Sequence, residues 1–394
     1  MATAIAQDRS RLDESTSAPL LSVAPMMEWT DVYYRNLARL LSRRTWLYTE
    51  MIVDKTLIYK EKEGKSLDRY LHFPKPQHPV VLQLGGNSPP QLEAAVKLAL
   101  SYEYDEINLN CGCPSPRVSG KGCFGAALMK DPPSVRAIVE GMSRSSPVPV
   151  TIKCRLGVDD NDTYPELVEF VRQTSENLPI DHFIMHARKA FLQGLSPAQN
   201  RDVPPLKYDW VFKLSEDFPH LKFSLNGGVK TLDEAKDLLE RRGERGGRIH
   251  GVMIGRAAYK TPWHTLADAD RAIFGEAENP CTSRRQLLRD YCELCDSQLE
   301  RQSKSWSCEP KQVVRKMAKP LLGLFYGEPG TNKWKRTIEE MLHKGSPASV
   351  TEVVERSMEH IPAEILDASP QAKYVTRTET DSEGNRKRVF SVVD

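Results

Sequence analysis

The strongest constraint on the fold of this chain is an alternation of short apolar segments with amphipathic helical segments over residues 20–256. Eight segments have the composition of strands, and most are followed by a stretch with helical periodicity. The predicted strands are 20–26 (LLSVAPM), 47–52 (LYTEMI), 80–85 (VVLQLG), 106–111 (EINLNC), 148–154 (VPVTIKC), 182–187 (HFIMHA), 221–226 (LKFSLN) and 251–256 (GVMIGR), and predicted helices include 31–41, 91–102, 134–144, 164–177 and 232–241. This pattern predicts an α/β fold, a (β/α)8 TIM barrel. A doubly wound parallel sheet, which usually has fewer strands, is the alternative.

The predicted strands carry their polar side chains on one face. In the segment EINLN, Ile107 and Leu109 share one face, because alternate side chains along a strand point in opposite directions. Asn108 and Asn110 share the other face. We expect this second face to be polar only at the carboxyl end of each strand, which is where barrels of this class build active sites.

The chain changes character after Pro262, where the strand pattern stops and helical periodicity continues. The window from Pro310 to Lys344 holds eight Lys or Arg against three Glu, a local charge of +5. We therefore predict a barrel over 19–265 and a helical domain with a basic face over 280–345. The flanking segments are predicted to be a flexible N-terminus over 1–18 and a C-terminal extension over 346–394, which is partly disordered because 376–388 is strongly polar.

Composition excludes several classes of protein. The formal net charge of +2 excludes a histone-like polycation, and no apolar run is long enough for a transmembrane helix. Eight cysteines in 394 residues are too few for a disulfide scaffold, and the N-terminus lacks the apolar core of a secretory signal. We predict an intracellular protein, in the cytoplasm or a plastid, that has no membrane anchor and acts as a monomer.

We predict no metal site. The CELC motif at 292–295 lies in a helical segment and has no second pair of cysteines at zinc-binding spacing. Two cysteines on the apolar side of a helix are the better interpretation.

The segment NCGCP holds the most informative single side chain. Cys113 directly follows the fourth predicted strand and precedes a proline and a glycine-containing loop. A thiol at that end of a barrel strand can act as a nucleophile, a metal ligand or a proton donor. An inert buried cysteine is the alternative, since free cysteine is among the most buried residue types.

Two glycine-containing motifs, LNGGV (225–229) and MIGRAA (253–258), end the seventh and eighth predicted strands. These are the loops that commonly bind phosphate in (β/α)8 barrels, and tight turns without a ligand are the alternative. Glycine lets the backbone approach a phosphate, and arginine can pair with its charge. The residues concerned are Gly227, Gly228, Gly255 and Arg256.

A polar group is predicted at the same end of the barrel. Lys153 lies near the end of the fifth strand and faces inward, beside Gln83, Asn110 and His186 on other strands. A cation in this position can stabilise negative charge on a bound ring. Together with the two phosphate loops, this group predicts a phosphorylated planar cofactor, of which FMN is the simplest candidate.

An ordered series of motifs is similar to the tRNA-dihydrouridine synthase family, and most similar to its A branch. The motifs are SVAPMMEWTD, LYTEM, HPVVLQLGG, YDEINLNCGCPS, FGAALM, PVTIKCRLGVDD, HARKAFLQGLSP, NRDVPPLKY, FPHLKFSLNGG and GVMIGRAAY. The resemblance covers residues 20–345, which includes both predicted domains.

The resemblance implies an FMN-binding barrel followed by a helical tRNA-recognition domain. Such enzymes reduce the C5=C6 bond of uridine in the tRNA D-loop, the A branch acts at tRNA positions 20 and 20a, and NADPH reduces the flavin. The implied reaction moves a hydride from N5 of reduced FMN to C6 of the uracil and a proton from Cys113 to C5.

The resemblance also assigns roles to individual residues. Cys113 matches the catalytic proton donor and Asn110 matches a uridine contact. Gln199, Arg201, Arg315 and Lys319 match regions that contact tRNA. Matches to FMN contacts are Pro25, Met26, Met27, Gln83, Lys153, His186, Asn226, Gly227, Gly228, Gly255 and Arg256. Cys111 departs from the usual apolar residue and is expected to bring a second thiol near the site.

Two other functions stay open at this point. One is an FMN-dependent barrel reductase of a free pyrimidine or an enone, against which the basic helical domain argues. The other is a non-catalytic tRNA-binding factor, against which the intact set of Cys113, Lys153 and His186 argues.

Overall fold

A computed structural model describes residues 20–120, 123–306, 308–380 and 386–393. The segment 1–18, predicted to be flexible, lies outside these residues. The chain divides into two compact units. The first comprises the residues up to Glu28 together with Thr45–Gly255, and the second comprises Trp29–Arg44 together with the residues from Arg256 onward.

Eight parallel strands of the first unit close into a ring. Their order is β2-β1-β9-β8-β7-β6-β5-β4, and β2 pairs with β4 to complete it. The strands are β1 (Leu21–Val23), β2 (Trp46–Tyr48), β3 (Ile52–Val53), β4 (Val80–Gly85), β5 (Glu106–Cys111), β6 (Val150–Arg155), β7 (His182–His186), β8 (Lys222–Asn226) and β9 (Gly251–Ile254). The predicted TIM barrel is therefore confirmed, since a doubly wound sheet has open edges. The predicted strand 47–52 is interrupted, and its last part is the short β3, which pairs with β4.

Helices alternate with the strands along the chain. They are α1 (Val32–Leu41), α2 (Asp54–Lys62), α3 (Asp68–Leu71), α4 (Pro89–Ala99), α5 (Pro132–Ser145), α6 (Tyr164–Ser175), α7 (Tyr208–Asp217) and α8 (Leu232–Glu240). Local sequence fixes several starts. Thr163 and Glu166 form a reciprocal capping box at α6, and the Thr231 side chain accepts from the backbone at the start of α8. Helix α1 follows β1 in sequence but belongs to the second compact unit.

The interior of the barrel is polar over more of its length than expected. An apolar layer formed by Ala24, Tyr48, Val81, Ile184 and Met253 fills part of it. The expectation that the inner face is polar only at the carboxyl ends of the strands was wrong, because Glu106, the first residue of β5, is also inside and 4% exposed. Its carboxylate accepts hydrogen bonds from the hydroxyls of Tyr48 (3.1 Å) and Thr151 (2.6 Å). Burial of a charged group is tolerable when such bonds satisfy it.

The second unit is helical up to Asp367. After α1 it contains α9 (Arg256–Lys260), α10 (Pro262–Leu266), α11 (Ala269–Ala272), α12 (Arg284–Trp306), α13 (Pro310–Ala318), α14 (Thr331–Lys344), α15 (Val350–Met358) and α16 (Ala363–Asp367). Helix α13 ends at Ala318, and a 3-10 turn over Lys319–Gly323 follows it. Pro320 explains the change, because proline lacks the N–H that a continuing α-helix requires. No helix in the described parts of the chain is long and apolar enough to span a bilayer.

The C-terminal extension contains more regular structure than predicted. Strands β10 (Lys373–Thr380) and β11 (Arg386–Val393) pair antiparallel, whereas the polar sequence predicts disorder over 376–388, of which 381–385 lie outside the described residues. The sequence also offers a reason for the strands, because KYVTRTET and RKRVFSVV combine charged residues with β-branched and aromatic residues, which favour strands. The boundaries 19–265, 280–345 and 346–394 stay a prediction.

Candidate active site

The structure brings the predicted barrel residues to one rim, at the carboxyl ends of the strands. Gln83, Asn110, Lys153, His186 and Asn226 are on β4 to β8, and Pro25, Met26, Met27, Cys113, Gly227, Gly228 and Gly255 follow β1, β5, β8 and β9. Arg256 begins α9 of the second unit. The eight-strand pattern in the sequence is therefore sufficient to locate this rim.

Hydrogen bonds hold both the backbone N–H and the backbone carbonyl of Cys113 in place. Its N–H donates to Asn110 Oδ1 at 3.1 Å, and the N–H of Gly112 donates to the same oxygen at 2.9 Å. Its carbonyl accepts from the N–H of Ala126 at 2.9 Å. Gly125 makes this approach possible, because it has a φ of +66° and a Cβ there would lie 2.6 Å from the Cys113 oxygen.

The surroundings of Cys113 keep its thiol protonated. Burial raises the pKa of the Cys113 thiol, and the nearby charges of Arg155 and Lys153 only partly oppose this effect. The ordinary pKa of cysteine is already above neutral pH. The raised pKa favours the protonated thiol near pH 7, which is the form that can donate a proton.

Cys111 does not bring a second thiol to the rim. By strand alternation it shares the helix-facing side of β5 with Leu109, and its register partner on β6 is Cys154. Burial raises the pKa of Cys111 well above its usual range. The expectation drawn from its position in the sequence was wrong. Cys111 directly follows Asn110, so its side chain points to the opposite face of β5.

Lys153 is half-buried and has a fixed hydrogen-bond partner. Its Nζ donates to Asn226 Oδ1 at 2.9 Å, and Asn226 Nδ2 donates to the carbonyl of Met253 at 2.8 Å. Burial, together with the charge of Arg155, lowers the pKa of Lys153 to about 8. Both polar ends of Asn226 are thus engaged within the barrel, and its side chain positions the lysine.

His186 is a neutral imidazole next to the glycine loop. Burial, together with the charges of Arg155 and Lys153, lowers the pKa of His186 well below its usual value. Gly227 has a φ of +111°, and a Cβ on it would lie 2.7 Å from the His186 ring. The close approach of this backbone to the ring therefore requires glycine.

Arg155 is a site residue that the sequence did not single out. It is 3% exposed, and its Nε donates to the carbonyl of Gly112 at 3.1 Å. Its Nη1 donates to the carbonyls of Asn200 (2.9 Å) and Lys189 (3.2 Å). It thus joins the loop that carries Cys113 to the loop that follows β7. The signal in the sequence was its position two residues after Lys153, on the same face of the strand.

A cleft of about 520 Å³ separates these same two loops. Its lining combines Pro116, Ser119 and Gly120 from the loop after β5 with the segment 192–195 from the loop after β7. The cleft is open to solvent and lies beside the loop that holds Cys113.

The predicted tRNA-contact residues are divided between the units. Gln199 and Arg201 form a 3-10 turn in the loop after β7, where Gln199 Oε1 accepts from the backbone of Ser196 at 2.9 Å. Arg315 is on α13, and its Nη2 donates to the carbonyl of Leu342 at 2.9 Å, near the end of α14. Lys319 begins the turn that follows α13.

The described residues contain no group of three side chains suited to hold a metal ion. Cys292 and Cys295 are buried side chains of α12.

Comparison with known proteins identifies the family. The profile of the family described as Dihydrouridine synthase (Dus) matches residues 22–362, most of the chain. The chain belongs to the dihydrouridine synthase family. This family assignment confirms the resemblance carried by the motifs, and the matched residues extend beyond residue 345, where that resemblance ends.

Three bacterial proteins are similar to this chain over most of its length. The chain is 42% identical over 345 residues to the Vibrio vulnificus protein named tRNA-dihydrouridine(20/20a) synthase, covering 88% of this chain and 98% of the relative. It is 43% identical over 332 residues to the protein of that name from Salmonella typhi, covering 84% of this chain and 92% of the relative. The Escherichia coli K12 protein of the same name is 42% identical over 332 residues, covering 84% of this chain and 89% of the relative.

Proposed function

We propose that this chain reduces the C5=C6 bond of uridine in the tRNA D-loop, at positions 20 and 20a, with FMN as cofactor and NADPH as reductant. The observation that carries the proposal is the thiol-bearing residue Cys113, fixed through its backbone on the barrel rim that also holds Lys153. The family assignment and the names of the relatives support the same reaction.

The residues of the rim fit FMN. Lys153 provides a cation, Gln83 an amide and His186 a neutral ring, while Gly227 and Gly228 have positive φ and expose their backbone. A planar, anionic, phosphorylated group matches this combination of charge and small residues. In this proposal FMN is held by Pro25, Met26, Met27, Gln83, Lys153, His186, Asn226, Gly227, Gly228, Gly255 and Arg256, with Asn226 acting through Lys153.

Different residues of the rim have different roles in the proposed reaction. When bound, the reduced flavin supplies a hydride for C6 of the uracil. Cys113 donates the proton to C5, and a thiol that stays protonated near neutral pH suits this role. Asn110 holds the backbone of Cys113 and contacts the uracil.

The substrate base leaves the tRNA stack to reach this rim, and unstacking is part of its binding cost. The cleft between the loops after β5 and β7 gives the flipped nucleotide and its backbone a place to enter. Gln199, Arg201, Arg315 and Lys319 contact the tRNA outside the reacting base. The basic helices supply phosphate contacts that position the RNA without reading its sequence.

The affinity for tRNA is expected to depend strongly on salt. Lys333 and Arg336 are exposed on α14, and several phosphate contacts of this kind release bound counterions. We expect the Kd for unmodified tRNA to rise at least about tenfold between 50 and 200 mM salt. The double variant Lys333→Glu with Arg336→Glu should bind less tightly and show a shallower slope, measured by fluorescence anisotropy. Lys236→Glu, at an exposed position of α8, is the matched control and should leave both values unchanged.

The affinity for FMN is expected to fall at high pH. The pKa of Lys153 is about 8 in the folded protein, so the ammonium form predominates below pH 8 and is lost as the pH rises through that value. Because the charged form attracts the anionic cofactor, the Kd for FMN should increase above pH 8. Titration of the apoprotein by flavin fluorescence quenching measures this. A Kd that rises equally in Lys153→Met would assign the pH dependence to another group.

The proposal is tested with the purified protein, FMN, NADPH and unmodified tRNA. We expect a yellow protein whose flavin absorbance NADPH bleaches, and dihydrouridine at positions 20 and 20a. Reduction of free uridine or an enone at a comparable rate would favour a small-molecule reductase. A colourless protein that binds tRNA would favour a non-catalytic factor.

A further inference from the structure

A continuous series of side-chain hydrogen bonds runs through the barrel from the rim to Glu106. Its atoms are Asn110 Nδ2 to Gln83 Oε1 (3.3 Å), Gln83 Nε2 to Asn108 Oδ1 (2.8 Å), Asn108 Nδ2 to Thr151 Oγ1 (2.9 Å) and Thr151 Oγ1 to Glu106 Oε1 (2.6 Å). We propose that Glu106, Thr151 and Asn108 are positioning residues, which act through this relay to fix the amides of Gln83 and Asn110 and thereby Cys113.

The carboxylate sets the direction of the relay. The Thr151 hydroxyl donates to Glu106 Oε1, so it presents its lone pairs to Asn108. Asn108 then donates its amide N–H to the hydroxyl and turns its carbonyl oxygen toward Gln83. The same constraint passes from Gln83 to Asn110, because each amide has one donor end and one acceptor end.

The hydrogen bonds of Asn110, at the rim end of the relay, require the same orientation of the side-chain amides. Asn110 Oδ1 accepts from the N–H groups of both Gly112 and Cys113. If the Asn110 amide were reversed, its NH2 group would face two backbone donors and none of these bonds could form. Donors at the rim and an acceptor at Glu106 therefore select one orientation for every amide between them.

Because the residues of the relay are buried, water cannot replace a hydrogen-bond partner that a substitution removes. Asn108 is 0%, Thr151 1% and Gln83 2% exposed, so a broken link leaves an unpaired polar group inside the barrel. In such surroundings hydrogen bonds strengthen one another along a connected series. Loss of the Thr151 hydroxyl should therefore weaken the orientation of the Asn110 amide, which is three hydrogen bonds away along the relay.

The variants Thr151→Val and Thr151→Ser test the relay. Valine has nearly the same shape but no hydroxyl, whereas serine keeps the hydroxyl. The first measurement is the rate at which iodoacetamide alkylates Cys113, followed by peptide mass spectrometry in the apoprotein. We expect Thr151→Val to raise this rate about fivefold, the effect of losing one net hydrogen bond, and Thr151→Ser to keep it within about twofold of the wild type.

The second measurement is kinetic and rests on the proposed function. We expect Thr151→Val to lower kcat for dihydrouridine formation about fivefold with KM for tRNA unchanged, and Thr151→Ser to retain kcat. Thr174→Val is the matched control, because the buried hydroxyl of Thr174 donates to the carbonyl of Phe170 at 2.8 Å within α6, outside the relay. It should change neither measurement. Thr151→Ala removes the same hydroxyl and takes the place of Thr151→Val if that variant does not fold.

The two measurements separate the relay from the proposed function. Faster alkylation in Thr151→Val, with no dihydrouridine formed even by the wild type, would support the relay and contradict the function. Equal alkylation rates in Thr151→Val, Thr151→Ser and the wild type would overturn the relay, as would equal changes in Thr151→Val and Thr174→Val.

Discussion

Replacement of Cys113 by alanine is expected to lower turnover by about 10²- to 10⁴-fold, the usual contribution of a general acid. The backbone contacts of Cys113 with Asn110 and Ala126 do not involve the thiol, so the rim should keep its geometry. Flavin content and tRNA affinity should therefore stay at the wild-type level. Single-turnover formation of dihydrouridine, measured with the NADPH-reduced protein, isolates the chemical step from binding.

Cys123→Ala is the matched control for this variant. Cys123 is an exposed thiol ten positions further along the chain, and its Sγ contacts the carbonyl of Gly120 at 3.2 Å. Its loss should leave turnover within about twofold of the wild type. Wild-type turnover in Cys113→Ala would remove this thiol from the mechanism, and loss of flavin from the variant would indicate a structural role instead.

Replacement of Glu328 by alanine is expected to destabilise the helical unit by about 3–5 kcal/mol, because it removes the carboxylate that pairs with a buried guanidinium. Glu328 forms an ion pair with Arg284, which is 0% exposed. The guanidinium carbon of Arg284 lies 4.4 Å from the ring centroid of Trp263 and 5.5 Å from that of Phe325. Chemical denaturation monitored by tryptophan fluorescence measures the loss.

Two further variants serve as controls for Glu328→Ala. Glu169→Ala breaks an exposed ion pair with Arg172 on α6 and should cost less than about 1 kcal/mol. The double variant Arg284→Met with Glu328→Leu removes both charges and should recover most of the stability. A cost below about 1 kcal/mol for Glu328→Ala would show that the helical unit does not depend on this pair.

The elements that sequence predicted best are those whose apolar pattern is long and uninterrupted. Strands β4 and β5 have the predicted bounds, because each is a run of six residues between clear turn signals. The rim itself followed from strand topology, since parallel strands of a barrel end at one edge. For this reason the sequence alone could indicate that Cys113, Lys153 and His186 lie at the same end of the barrel.

Other features depend on contacts that a linear pattern does not contain. Glu106 begins a strand like any surface carboxylate, and only its hydrogen bonds with Tyr48 and Thr151 reveal it as an interior group. Arg155 is similar, because its partners are backbone carbonyls of distant loops. Helix α1 has the position of a barrel helix in the sequence, but its grouping with the second unit depends on tertiary packing.

The central claim is that this chain makes dihydrouridine in the tRNA D-loop by a reaction that uses the thiol of Cys113. It is tested most directly by dihydrouridine mapping on tRNA from cells that lack the protein, complemented with either the wild type or Cys113→Ala. We predict that dihydrouridine disappears at positions 20 and 20a without the protein, returns with the wild type, and stays absent with Cys113→Ala. Unchanged dihydrouridine at both positions in cells that lack the protein would contradict the account.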